Sequence, residues 1–390
     1  MTLQPDRSLG HATLAACVMG LLLSPQHVLG QVSREPSFAS RIEQLSESGG
    51  EFDTDNLISN EKSYLHVMPA LGQARVSGGA YIGVGPDQNF SYIAQIRPHI
   101  AFIVDLRRDN LLLHLLFKAL FGMAGTRIEY LSLLVGRPAP GHPDEWREAS
   151  IDKIVAFVDG VKATPAWVDA LRGRVDAQIK HAGVPLSAAD FATIDRFHRA
   201  FIDAGLSLKF QSWGRLPRSY YPTYRELLLE TDRNGRQLNY LTSEDDFQFV
   251  RSLQARDLVI PVVGDLAGSR AMAAVGRFLT GRGERLSAIY TSNVEMYLFR
   301  DLKLPRFVEN VKRLPRNERS VIIRAIFGDA FGATLPESVP GYYSTSVIQP
   351  VEDLIGGFSS GKYRTYWDLV TAGSRGLGQN ATPAAPAPVR

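Results

Sequence analysis

Two glycines stand at the end of an apolar run, in Gly83-Val84-Gly85-Pro86-Asp87-Gln88-Asn89. Glycine at such a place lets the backbone turn tightly and approach a ligand, and the N–H groups opening the next helix point toward it. Gln88 occupies the position of the third glycine in GxGxxG, and Pro86 removes one donor. The turn is therefore a weaker cradle for a pyrophosphate than for a ligand without phosphates, such as an adenosine thioether. Asp105 lies 20 residues after Gly85 at the end of AFIVDLR, where an acid accepts from ribose hydroxyls. Gly83, Gly85, Asp87, Gln88, Asn89 and Asp105 are the candidate cofactor contacts. A plain strand–helix turn is the bland alternative for the glycines. Arg107 and Arg108 have two readings: they meet a 2′-phosphate, or they pair with surface acids.

A second set follows two later apolar runs: Asp265 in VVGDLAG, and Tyr290, Asn293 and Glu295 in YTSNVE. A carboxylate there is a candidate base, so Glu295 or Asp265 takes that role, with Asn293 and Tyr290 orienting an acceptor. Asp265, Ser292 and Asn293 also have the residue types of helix N-caps. Asp53, Asp55, Asn56, Asn60 and Glu61 form a polar cluster that closes over the same pocket or decorates an N-terminal turn. Two imitations are set aside. Gly356-x4-Gly361-Lys362 has Tyr363 where a phosphate loop needs Ser or Thr. GFSSG has no histidine after it, since the last is His198.

These residues need strands to carry them. AYIGVG, AFIVDLR, LVIPVVG, LSAIYTS and SVIIRAIFG are short buried strands, with a last one around STSVIQ. Helices alternate with them: PDQNFSYIAQIRP with Pro86 in its first turn, DNLLLHLLFKALFGMA with Asp109 as N-cap, SRAMAAVGRFLTGRG, VEMYLFRDL and RFVENVKRL. Residues 139–256 are helical and more polar, clearest at 165–181 and at 187–204, where Ser187 and Asp190 form a capping box. The register of TRIEYLSLLVGRP stays open. The alternation predicts an α/β fold, a Rossmann-like doubly wound mostly parallel sheet with a helical insertion at about 139–256. Strands 80–85 and 101–106 should be adjacent and parallel.

A near-balance of 43 basic and 40 acidic residues in 390 supplies no field for non-specific nucleic-acid binding, which leaves a small-molecule ligand as the expected partner. The one cysteine, Cys17, lies in an N-terminal segment that reads as a signal peptide over residues 1–30. Arg7 is its charged start, Ala12 to Leu23 its apolar core, and the cut falls before Gln31. The core is too short for a stable membrane span. Leu14-Ala15-Ala16-Cys17 imitates a lipobox, but the apolar run continues past it. With the segment removed, the mature chain has no thiol for disulfides, zinc or nucleophilic catalysis, and no metal site is expected. The location is periplasmic or secreted if the signal is genuine, cytoplasmic if translation starts downstream. One α/β domain over 31–372 is expected, then a disordered Gly/Ala/Pro-rich tail over 373–390.

FDTDNLISNEKSYLHV, YIGVGPDQNFSYIAQIRP, AFIVDLRRDNLLLHLLFKALF, VVGDLAG and YTSNVEMYL together resemble an uncharacterised bacterial family whose core is similar to class I adenosylmethionine-dependent methyltransferases. The resemblance runs from about Phe38 to Gln349. It implies S-adenosylmethionine as cofactor, with Gly83, Gly85 and Asp105 as contacts and Asp265 as the acid after the fourth strand. Methyl transfer to a small acceptor is the implied activity. The chain departs from that class in having Tyr81 and Ile82 where an acid usually precedes the glycine turn, and in lacking an NPPY-type motif. Two rival readings remain, an NAD(P)-dependent oxidoreductase and an exported binding protein without catalysis.

Overall fold

The runs AYIG, IAFIVD and VIPVV carry almost no polar side chain and are buried throughout except at the partly exposed Asp105, the pattern of strands covered on both faces. A computed structural model describes residues 36–213, 218–328 and 335–375. It places these runs in one six-stranded sheet: β1 (Ala80–Gly83), β2 (Ile100–Asp105), β3 (Val259–Val263), β4 (Leu286–Ser292), β5 (Arg316–Phe327) and β6 (Ser344–Pro350), in the order β3-β2-β1-β4-β5-β6. β1 runs parallel to β2, pairing Ala80 with Ile100 and Gly83 with Ile103, as the spacing predicts. β4 is parallel to β1 and β5 to β4, while β6 is antiparallel to β5. The molecule is thus a mixed α/β protein with a mostly parallel sheet flanked by helices. Pro261, inside β3, has no N–H for a ladder, and β3 accordingly lies at the sheet edge.

Helices fill the connections: Gln88–Ile96 after β1, Arg108–Met123 after β2, Ala271–Arg282 after β3, and Val294–Arg300 and Leu304–Lys312 after β4. Helix 108–123 packs against β2 and β3, and Phe38–Leu45 also covers β3. Val351–Ser359 covers β5, and Tyr366–Arg375 covers β6. The order of the strands reverses between β1 and β4, since β2 and β3 lie on one side of β1 and the later strands on the other.

Several local expectations change. β1 stops at Gly83, and Val84 to Asp87 form the turn, so Pro86 precedes the helix instead of opening it. Asp109 does not cap helix 108–123; Arg107 stands at the cap, and Asp109 sits in the first turn facing the helix dipole. The open segment after Gly125 is helix Arg127–Leu134, fixed by a capping box of Thr126 and Glu129. The Ser187–Asp190 capping box is present as read. Helix 366–375 runs past the expected start of the tail at 373. The signal segment 1–30, with Cys17, and the tail from 376 lie outside the described residues. Among the described residues no helix is long and apolar enough to cross a membrane.

Candidate ligand site at the carboxyl ends of the strands

In open α/β sheets a ligand lies outside the carboxyl ends of the strands where their order reverses, because the connections there run to opposite faces and leave a crevice. A cavity of about 610 Å³ opens at that place, within the range of small-molecule sites. Its wall takes Gly85 and Gln88 from the β1 turn, Asp105 and Arg107 after β2, Asp265 after β3, and Ser292 and Asn293 after β4. Sequence reading therefore found all four strand ends.

The β1 turn is held by its own side chains. The Asn89 amide donates to the carbonyls of Val84 at 2.8 Å and Pro86 at 2.7 Å, and its oxygen accepts from the Tyr81 hydroxyl at 2.8 Å. Gly83 makes room for it, since a Cβ there would lie 1.9 Å from Asn89 Oδ1. Gly85 adopts φ +80°, which favours glycine, and its carbonyl accepts from His114 Nε2 at 2.9 Å. Burial pulls the His114 imidazole down to about 4, so it is neutral. Gly83 and Asn89 thus shape the turn without lining the cavity. Asp87 is displaced further. Its buried carboxyl accepts from Tyr224 at 2.7 Å and Tyr240 at 3.3 Å, and desolvation raises it to about 6.

Asp105 lines the cavity but is already engaged. Arg107 donates to it through Nε at 3.1 Å, Nη2 at 3.1 Å and the backbone N–H at 3.0 Å. Arg107 Nη1 reaches the carbonyls of Thr54 and Asp55, both at 2.7 Å. Arg108 forms a two-point pair with Asp190, at 2.9 and 3.0 Å. Both arginines are therefore engaged within the protein itself.

That clamp draws the segment 46–61 across the strand ends. Gly50 N–H donates to Leu106 O and Glu47 N–H to Val263 O, each at 2.9 Å. The Glu47 carboxylate takes the N–H groups of Asp265 at 3.0 Å and Arg270 at 2.9 Å, completing the start of helix 271–282. Asp265 uses one oxygen on Ala267 N–H at 2.8 Å and the other on Lys303 at 3.0 Å, so it is both a turn former and a cavity residue. Asp53, Asn56, Asn60 and Glu61 line the cavity, while Asp55 pairs with Arg196. Four of the five residues of the polar cluster thus line the pocket.

Glu295 is not at the wall. Its buried carboxylate is held by Arg324 at 2.5 and 3.1 Å, and Arg324 continues to Gln349 at 2.8 Å. Both partners are fully buried, so Glu295 has no access to a ligand. Of the two expected base candidates only Asp265 is at the wall, and Glu61 is a further buried carboxyl there. Tyr290, itself behind the wall, donates to Glu61 Oε2 at 2.6 Å, and Ser292 Oγ donates to Oε1. Ser292 takes φ +53°, an uncommon conformation for a side-chain-bearing residue that aims its hydroxyl at Glu61. Desolvation raises Glu61 to about 7, against the lowering effect of the two hydroxyls. A carboxyl near neutrality is suited to exchanging protons. Sequence reading placed Glu61 in the polar cluster but not beside Tyr290 and Ser292, because these partners are more than 200 residues away.

Six acids line the cavity (Glu51, Asp53, Glu61, Asp105, Asp265, Asp301) against four bases (Arg107, Arg218, Arg300, Lys303). Three of those bases are paired with wall acids: Arg107 with Asp105, Lys303 with Asp265 and Arg300 with Asp301. Phe52, Tyr220, Tyr297, Phe327 and other aromatic side chains complete the wall.

The chain belongs to a family described as a domain of unknown function (DUF7790), which it matches over residues 57–138 and 203–364. The match contains β1 to β6 and omits 139–202, so helices Tyr224–Leu229 and Glu244–Ala255, read from sequence as insertion, fall in the family's shared part. Among curated proteins no match is found.

Proposed function

We propose that this chain is a Rossmann-like protein that binds adenosylmethionine or a close relative and transfers its methyl group to a small acceptor. The strand order β3-β2-β1-β4-β5, with an antiparallel edge strand in last place, supports the Rossmann-like reading. The observation that carries the reading is the cavity at the β1/β4 reversal, acid-rich and aromatic, with its neighbouring arginines committed to protein partners. Such a wall disfavours the phosphates of a dinucleotide and suits a nucleoside that carries a positive sulfur. The buried, unpartnered Oε1 of Gln88 fits the same ligand, which brings N–H and O–H donors.

Asp105 would hold the ribose hydroxyls with the lone pairs that Arg107 leaves, and Gly85 would let the backbone approach. The cofactor, once bound, supplies a methyl carbon that is already electrophilic. The chain then has to align the acceptor and keep water out, tasks for the lid over 46–61. Glu61, held by Tyr290 and Ser292, takes the acceptor's proton, with Asn293 at the wall to orient the acceptor.

Calorimetry on the full chain with adenosylmethionine, adenosylhomocysteine, NAD and NADP tests the proposal. Saturable binding of the first two alone is expected. Binding of NAD or NADP instead would transfer the site to the oxidoreductase class, and binding of none would favour a protein that kept the fold without the chemistry.

A further inference from the structure

Glu61 is 1% exposed, lines the cavity, and has no basic partner among the described residues. The titratable groups facing it are Tyr290 on β4, Tyr81 on β1, Tyr92 on helix 88–96 and Tyr366 on helix 366–375. All four are phenols kept neutral by burial, so none compensates a carboxylate charge. A buried charge without a counter-charge is costly, and a carboxyl so placed is either protonated or awaiting a cation.

A second atom beside it lacks a partner. Tyr290 gives its hydrogen to Glu61, so its oxygen accepts from Gln88 Nε2 at 3.0 Å. That fixes the amide orientation and leaves Gln88 Oε1 buried, at the cavity wall, with no donor. One carboxylate without a cation and one carbonyl without a donor, bridged by a single phenol, call for the same group. It must carry positive charge and at least two N–H bonds. An ammonium does; a hydroxyl supplies one hydrogen and no charge.

We propose that Glu61 and Gln88 Oε1 form a receptor for an ammonium group inside this cavity. The inference rests on the nucleoside reading above and extends it to a second chemical group. The ammonium belongs either to a separate amine acceptor, whose proton Glu61 then takes, or to the amino-acid end of the bound nucleoside, in which case Glu61 anchors the nucleoside and Asp265 at the wall is left as the base. Burial pushes free Glu61 up to about 7, so an arriving cation expels a proton at mildly acidic pH.

The experiment is calorimetry on the full chain at mildly acidic pH, in two buffers of different ionisation enthalpy. The probes are adenosylhomocysteine, 5′-methylthioadenosine (the thioether nucleoside without the amino-acid end, ammonium and carboxylate both absent) and butylammonium chloride, the last with and without bound nucleoside. The proteins are wild type, Glu61→Gln and Gln88→Leu, each checked for folding by circular dichroism. If the nucleoside carries the group, adenosylhomocysteine binds about tenfold or more tighter than 5′-methylthioadenosine and releases a proton. Both differences then vanish in Glu61→Gln and shrink in Gln88→Leu. If the group is a separate amine, the two nucleosides bind alike, and butylammonium binds the loaded chain with proton release that Glu61→Gln abolishes. Equal nucleoside affinities without butylammonium binding overturn the receptor and leave the nucleoside reading standing. Binding of no probe overturns both.

Discussion

Glu295 and Glu61 both lie buried near β4 and differ in what faces them: a guanidinium for the first, two hydroxyls for the second. Removing Arg324 leaves Glu295 charged and alone, so Arg324→Met is expected to lose about 3–5 kcal/mol in denaturant unfolding. Pairing it with Glu295→Leu should recover part of that loss, since no uncompensated charge remains. Glu61 behaves in the opposite way. Its folded value, about 7, lies above the ordinary 4.5, so its contribution to stability is full below 4.5 and is lost as pH rises through about 7. Glu61→Gln should therefore flatten the stability profile between those values and raise the melting temperature on the alkaline side; an unchanged slope would refute the assignment. Gly83→Ala forces a methyl group into Asn89 Oδ1 and should cost about 1–3 kcal/mol while loosening the β1 turn.

At the scale of elements, the lid is the part that the sheet does not make by itself. Residues 46–61 have no strand or α-helix of their own and are held by backbone bonds to Val263 and Leu106 and by the Arg107 fork. A lysine cannot reach Asp105 and two carbonyls at once. Arg107→Lys is expected to speed hydrogen exchange at 53–56 and weaken nucleoside binding, with unfolding cooperativity retained; unchanged exchange there would show that the clamp is dispensable. Capping boxes at Thr126 and Ser187 fix where two helices begin, and Ser187→Ala should cost about 1 kcal/mol.

For the whole molecule, the segment 139–202 that the family match omits is fastened to the site rather than appended to it. Helix Ala188–Ala204 sends Asp190 to Arg108 and Arg196 to Asp55 of the lid, and Phe201 packs edge-on to Phe117 and Tyr224. The Arg108 pair holds the Asp190 carboxyl down at about 2, below its ordinary 3.8. Its stabilisation is present above 3.8 and is lost as pH falls toward about 2. Asp190→Asn should thus lose stability at neutral pH and show a shallower acid limb in pH-dependent unfolding; a parallel limb would place the acid sensitivity elsewhere.

Alternating apolar runs and turn residues were enough to read the strands, the α/β class and the adjacency of β1 and β2, because burial on both faces and short βα connections are local properties of the chain. Gly85, Asp105, Asp265 and Asn293 were legible as wall residues for the same reason, as each ends a strand or follows one within two residues. Partnership was not legible. Whether a carboxylate is half of an ion pair or faces only hydroxyls depends on groups that arrive from elsewhere: Arg324 for Glu295, Tyr290 and Ser292 for Glu61, Tyr224 and Tyr240 for Asp87. The direction of β6, the place of β3 at the edge and the closing of the lid likewise rest on pairings across tens to hundreds of residues. Local propensity cannot encode such pairings, because their energy appears only when the sheet has assembled and water has left the groups that meet.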